Sequence, residues 1–409
     1  MLGSRSTALL VTIALVAAAC ASLPGSAPPG TGTIPDAGPT SERSPNTGPD
    51  VTEAPDINDL RVPIGNWSTD FSIASVELGE IASGGPPKDG IPSIDAPRFE
   101  QIADAQGWLA PTSPVITLTV EGAARAYPLA IMVWHEIVND TLGGVPVVVT
   151  FCPLCHTALV FERTVDGTVH DFGTTGNLRY SDLVMYDRQT ESWWQQATGE
   201  AIVGTLTGKK LTFLPAQIVS LADFAAAHPD GDVLSRDTGQ ARDYGQNPYP
   251  GYDRADERPF LYVGEIDGRL APKERVVTIE RAGRTIAIPY AALEAKGVVE
   301  IDTAAGPVVV FWVPGTSAAL DGATIDDGRD VGSTGVFAPV ADGRRLTLSR
   351  ADGRNGSIMD VETGSTWTVT GQATAGPMAG SQLEPIIHGD YFWFAWAAFA
   401  PDTEIWSTP

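Results

Sequence analysis

Cysteine is nearly absent from this chain: three in 409 residues, with five histidines and five methionines beside them. Thiol, imidazole or thioether chemistry therefore has few places to reside. Positive charge is also scarce, with 26 Lys and Arg against 50 Asp and Glu and a formal net charge of −24. A protein that tracks phosphates needs a basic face, so nucleic acid is not expected as a partner. The acidity reads as a solvated, self-repelling surface. No Gly-rich phosphate loop, nucleophile elbow or His-Glu-x-x-His zinc pattern occurs. Beyond Cys20 no apolar run is long enough to span a membrane; the aromatic-rich residues 391–400 are too few. What remains is 43% hydrophobic and 19% charged, a globular composition with length for two or three domains.

The first 20 residues read as a signal. Arg5 precedes an apolar run over residues 8–16, followed by Ala17-Ala18-Ala19-Cys20. Small residues before a cysteine resemble a bacterial lipoprotein signal, although Ala17 stands where Leu is preferred. That resemblance implies cleavage before Cys20, a lipid on its thiol, membrane anchorage and an extracytoplasmic protein; an ordinary secretory signal is the alternative. Residues 21–63 are dominated by Pro, Gly, Ser, Thr and Asp, which predicts a flexible, disordered tether.

From about Trp67 the pattern predicts a mainly β, β-rich α+β fold with few short helices. Strands are expected at residues 115–120, 124–127, 145–151 and 158–164, and hairpins around Asp166-Gly167 and residues 187–190. Residues 131–139 fit either helix or strand, and residues 218–228 show helical spacing stopped by Pro229. The chain then repeats. Trp108-Leu109-Ala110-Pro111 recurs as Arg269-Leu270-Ala271-Pro272, a shift of 161 residues (269 − 108) that holds without gaps to Leu159 and Leu320. Pro146-Val147-Val148-Val149 meets Pro307-Val308-Val309-Val310, and Gly199, Gly204 and Gly208 meet Gly371, Gly376 and Gly380. Two homologous tandem units follow: residues 64–255, and a degenerate copy over 256–409.

Cys152 and Cys155 are the centre of the chemistry. They follow a β-branched run in Phe151-Cys152-Pro153-Leu154-Cys155-His156. The second copy has Val313, Thr316 and Ser317 in place of Cys152, Cys155 and His156, and Lys296 in place of His135. It keeps the scaffold residues and lacks the chemistry, and the same turn is expected to form without the cysteines. A bridge spanning so short a loop gives little chain-entropy stabilisation. The pair therefore reads as a thiol–disulfide redox site, one thiolate attacking and the other resolving, with His135 or His156 favouring the thiolate. No cofactor is needed for that chemistry. The alternative is a soft-metal site, copper above all, using Cys152, Cys155 and His156 or a methionine (Met132 or Met185). A permanent structural bridge and c-type haem attachment are further readings of the same spacing. Asp182, Tyr186, Asp187 and Arg188 could wall such a site. Residues 242–253 could line a cleft beside it.

Several longer stretches carry a family resemblance. Trp134-His135-Glu136-Ile137-Val138-Asn139-Asp140, the Cys152–Cys155 stretch, and Ser181-Asp182-Leu183-Val184-Met185-Tyr186-Asp187-Arg188 are among them. His228-Pro229, residues 242–253 and residues 392–399 complete the set. Together they resemble the DUF3179 domain proteins, a bacterial and archaeal group of uncharacterised function. The family includes possible selenoproteins. Selenocysteine in place of cysteine suits a redox nucleophile, so the resemblance implies redox use of Cys152 and Cys155, with an unidentified redox partner.

Overall fold

The computed structural model describes residues 55–351 and 353–407. The signal segment, Cys20 and residues 21–54 lie outside the described residues. Folded structure begins earlier than expected: Ile57–Asp59 forms a 3-10 turn capped by Asp56, and Val62 packs into a cluster with Phe71, Leu78 and Trp193. The described fold is β-rich, with helices of at most seven residues. No helix among the described residues is long and apolar enough to cross a membrane.

The duplication is visible in the pairing. In the first copy Pro114–Val120 and Ala123–Pro128 form a hairpin, Ala216–Ser220 adds antiparallel to the first, and Asp232–Leu234 runs parallel to the second. In the second copy Arg275–Arg281 and Arg284–Pro289 form the hairpin. Gly389–Phe392 and Glu404–Ile405 take the same two flanking places with the same sense. A short helix leaves each hairpin, Leu129–His135 and Tyr290–Lys296. A turn motif also recurs: Asp187 accepts the Trp194 indole N–H at 3.0 Å, and Asp360 accepts that of Trp367 at 2.9 Å. Gly204 and Gly376 lie at φ +103° and +88°, where an added Cβ would meet Ser192 and Ser365. Glycine is required there for both conformation and space.

Two local expectations differ from the structure. Ile218 and Val219 belong to a strand, because Ala216–Ser220 pairs with Pro114–Val120; the helix starts only at Leu221, behind a Ser220–Asp223 capping box. Residues 131–139 are both helix and strand, changing over at Glu136. The third difference matters for the site. Val145–Cys152 turns back through residues 153–156 into Thr157–Glu162, with Cys152 paired to Thr157. Its counterpart Val308–Val313 pairs with Ser333–Ala338 instead, so the second copy does not form this hairpin. The two copies nevertheless share one core, in which Phe151, Cys155, Phe311, Tyr391 and Phe392 all sit.

Candidate functional site

The Cys152–Cys155 turn is covered from several sides. Val145–Cys152 is buried along its last six residues, a central strand whose β-branched side chains fill the core on both faces. Cys152 closes that strand, and Cys155 lies in the four-residue loop that reverses it, with His156 at φ +54° ending the turn. Phe392 donates its N–H to the Cys155 carbonyl at 2.9 Å, and the Tyr252 hydroxyl donates to the Leu154 carbonyl at 3.0 Å. The first bond comes from the second copy. The second comes from residues 242–253, so that segment does reach the turn. Cys152 is 2% exposed and Cys155 fully buried; the two are unbridged.

The thiols face oxygen atoms. Both point at the Ser181 carbonyl, Cys155 from 3.2 Å and Cys152 from 3.7 Å. Tyr180 and Ser181 form a two-residue hairpin loop with φ +54° and +64°, a conformation that Asn-Gly adopts with less strain. That loop delivers Asp182, whose carboxylate lies with the two sulfurs in a group whose ligand atoms are all within 4.8 Å of one another. Asp182 Oδ2 accepts from Gln195 and from the Ala197 N–H; Oδ1 is buried without a protein partner. Cys152, Cys155 and Asp182 are the residues that could hold a soft cation here.

Electrostatics in this pocket run in one direction. Burial pushes the Cys152 thiol up, with hydrogen bonds from Cys155 working against it. Burial, then the neighbouring Cys152 and Asp182, push the Cys155 thiol well above its usual value. Burial raises the Asp182 carboxyl to about 7, and burial with the Asp182 charge raises Glu136 to about 8. Near neutral pH both thiols are protonated donors, while two carboxyls stand close to their titration points.

The histidines are engaged elsewhere. His135 has Pro92 O at 2.6 Å from Nδ1 and the Tyr244 hydroxyl at 2.6 Å from Nε2. A carbonyl only accepts, so Nδ1 carries the proton and Nε2 accepts from Tyr244. Burial lowers its pKa, which keeps the ring neutral. His156 Nε2 accepts from Arg275, and burial followed by the Arg275 charge holds its pKa well below the usual value. Its ring packs between Phe151 and Phe392. Neither ring is an imidazolium beside a thiol, and the Nε2 lone pair of His156 is already used. Met132 and Met185 are core residues. Tyr186 and Arg188 bond Asp89, and Asp187 anchors its turn; of the four candidate wall residues only Asp182 reaches the sulfurs. Glu136 was not singled out by the sequence reading, although the repeat places Gly297 opposite it.

A consequence can be measured directly. Tyr252→Phe removes the bond to Leu154, about 1 kcal/mol, and loosens the cover over the turn. Alkylation of the reduced thiols by a small reagent is expected to speed up about fivefold. An unchanged rate would mean that reagents reach the cysteines by another route.

Fold and site together define a duplicated, β-rich protein with one buried dithiol flanked by carboxyls, present in only one of its two copies. The chain belongs to the family described as "Protein of unknown function (DUF3179)", whose model matches residues 88–403. No curated protein matches it. No solved structure matches it either.

Proposed function

We propose that Cys152 and Cys155 form a thiol–disulfide redox centre in an extracytoplasmic protein anchored by lipid on Cys20. Asp182 takes and returns the proton of Cys155. The observation that carries this reading is a buried carboxyl, titrating at about 7, within 4.8 Å of both sulfurs. Converting two thiols to a disulfide releases two electrons and two protons, and in a buried site the protons need an acceptor close by. With an external disulfide RSSR′ as oxidant, the Cys152 thiolate attacks one sulfur, forming a mixed disulfide and expelling R′S⁻. The Cys155 thiolate then attacks Cys152, and RS⁻ leaves. Each leaving thiolate takes up one of the two protons, and RSSR′ takes the two electrons. Cys152 is the attacking sulfur because it is the one with any exposure. Since that exposure is only 2%, exchange requires residues 242–253 to move off the turn.

Thiol titration with metal analysis, on protein lacking residues 1–20 and purified without reductant, tests this reading. Two thiols appearing only after mild reduction, without metal, are expected, with a potential above about −300 mV. About one equivalent of copper or zinc, lost in Cys152→Ser, would replace the reading with a soft-metal site. A bridge that resists mild reductant would leave a structural role alone.

A further inference from the structure

We infer that the seam between the two copies holds a binding site for a small uncharged polyhydroxylated molecule, a polyol or a single sugar ring, received by Thr117 and His388. The site is separate from the dithiol, and the inference does not rest on the redox reading.

The cavity measures about 210 Å³. Its walls are the Pro114–Val120 and Ala216–Ser220 strands of the first copy, and Phe337, Gln382, Pro385 and His388 of the second. Thr117 pairs directly with Gln217, and Thr119 follows two residues on, so the pleat turns all three side chains to one face. Two polar atoms on the lining residues are buried without a protein partner. They are the Thr117 hydroxyl, on a residue 5% exposed, and His388 Nε2, on a residue 7% exposed. His388 Nδ1 lies 2.8 Å from the Ile386 carbonyl. A carbonyl only accepts, so Nδ1 carries the proton and Nε2 of the neutral ring offers a lone pair. None of the lining residues is Asp, Glu, Lys or Arg.

The duplication supplies a comparison. Where the copies exchange roles, a second cavity of about 520 Å³ is lined by Thr278, Glu280 and Gly389 of the second copy and Lys210 of the first. At the shift of 161, Thr278 matches Thr117 and Glu280 matches Thr119 (278 − 117; 280 − 119). Later in the chain the shift is 172 (371 − 199), so Gly389 matches Gln217, Ala400 matches His228, and Gln382 matches Lys210. Both cavities form at the same places in the fold, yet their chemistry differs. Glu280 and Lys210 of the larger one are replaced in the smaller by a hydroxyl and an amide. Gly389 and Ala400 are replaced by an amide and an imidazole.

The shared threonine differs as well. Thr278 donates to the Gly389 carbonyl at 3.2 Å, across the pairing of their two strands. Thr117 stands in the same register opposite Gln217 and has no partner. The second copy shows that the scaffold can satisfy this hydroxyl internally. The first copy leaves it free, and an orphaned buried group calls for a reason.

These features define the ligand. A water takes up about 30 Å³ in the liquid, so the cavity has room for several waters or one small molecule. The occupant has to donate to His388 Nε2 and bond the Thr117 hydroxyl, because leaving either unpaired is costly. It carries no charge, since no side chain of opposite sign lines the cavity and a desolvated ion needs one. Hydroxyl groups donate and accept as water does, so a polyol displaces water without stranding either atom. Phe337, Ala216 and Pro385 supply apolar surface for its C–H groups.

Isothermal titration of the full-length protein with D-glucose and with myo-inositol tests the inference, with D-glucuronate as a charged control. At least one neutral probe is expected to bind at one site per chain, with a Kd on the order of 1 mM or tighter. Glucuronate should bind at least about tenfold more weakly. Thr117→Val and His388→Phe should each weaken the neutral probe about fivefold or more. Melting curves exclude a structural role. Thr117→Val removes a hydroxyl that bonds nothing in the protein and should melt no lower than wild type. Thr278→Val breaks a bond and should melt about 1–2 °C lower. No heat from either neutral probe up to about 50 mM, or binding that both variants leave unchanged, would overturn the inference. Glucuronate binding as tightly as the neutral probe would overturn it too, as would Thr117→Val melting as low as Thr278→Val.

Discussion

Cys155→Ser is expected to stop at a mixed disulfide, and Cys152→Ser to show no reaction with an external disulfide. On the proposed reading Cys155 resolves what Cys152 begins. Without it, the partner remains covalently attached at one equivalent per chain and turnover falls on the order of a thousandfold or more. Without Cys152 the remaining thiol is fully buried, so it does not meet a partner. Mass spectrometry of intact, non-reduced protein reads both outcomes. A trapped adduct on Cys152→Ser, with none on Cys155→Ser, would reverse the two roles. The pH dependence carries more information. A dithiol with no base beside it would gain rate only as its own raised thiol pKa is approached. With Asp182 as acceptor, the rise is instead expected at about 7, and Asp182→Asn should remove it.

The largest expected effect on stability lies next to the site. Asp253 is fully buried and accepts from Arg275 and Arg329, each at 2.9 Å; Arg275 in turn donates to His156. One carboxylate from the segment joining the copies thus neutralises two guanidiniums of the second copy and, through one of them, fixes the residue after Cys155. Asp253→Ala would leave Arg275, whose side chain is 8% exposed, as an uncompensated buried charge. The expected loss is about 3–5 kcal/mol, readable by denaturant unfolding. The exposed Arg98–Asp237 pair is the control: Asp237→Ala should change stability by less than about 1 kcal/mol. Equal effects at the two sites would show that the buried pair contributes no more than an exposed one.

The same groups set how stability changes with pH. Burial pushes the Asp253 carboxyl up, but Arg275 and Arg329 more than offset it and hold it below its unfolded value. Its contribution is therefore present above about pH 4 and lost as pH falls through the folded value. Glu136 and Asp182 act in the opposite sense. Their folded values, about 8 and about 7, lie above the unfolded 4.5 and 3.8, so the folded state holds protons that the unfolded state releases. Stability should fall as pH rises from about 4 to about 8. The melting temperature is expected to peak in the mildly acidic range, and Glu136→Gln should flatten the decline on the alkaline side.

Much of the architecture was legible because it rests on local rules. Alternation, β-branched runs and Gly or Pro punctuation mark the strands 114–120, 123–128 and 145–152, and turns such as Asp166-Gly167 are set by residues four apart at most. The duplication was legible as well, since several glycines recur at matching positions where both copies take positive φ, such as Gly122 and Gly283, and Gly204 and Gly376. Helical spacing over residues 218–228 was misleading because Ala216–Ser220 is claimed by a strand about a hundred residues away, and pairing across that distance outweighs propensity.

Sequence by itself determined that the chain is duplicated, that it is β-rich, and that Cys152 and Cys155 are the two cysteines of its repeated units. Proximity along the chain placed His135 and His156 beside them as helpers. Tertiary structure decided otherwise. His156 sits one residue from Cys155, yet its ring turns to Arg275, while Asp182, 27 residues further along from Cys155 (182 − 155), is brought to the sulfurs by a hairpin of a different sheet. The physical reason is that a side chain's direction is set by backbone dihedrals and strand register, so neighbours in sequence diverge while residues on adjacent strands converge. Charge state follows the same logic: a pKa is shifted by burial and by charges a few ångströms away, and both exist only once the chain has folded.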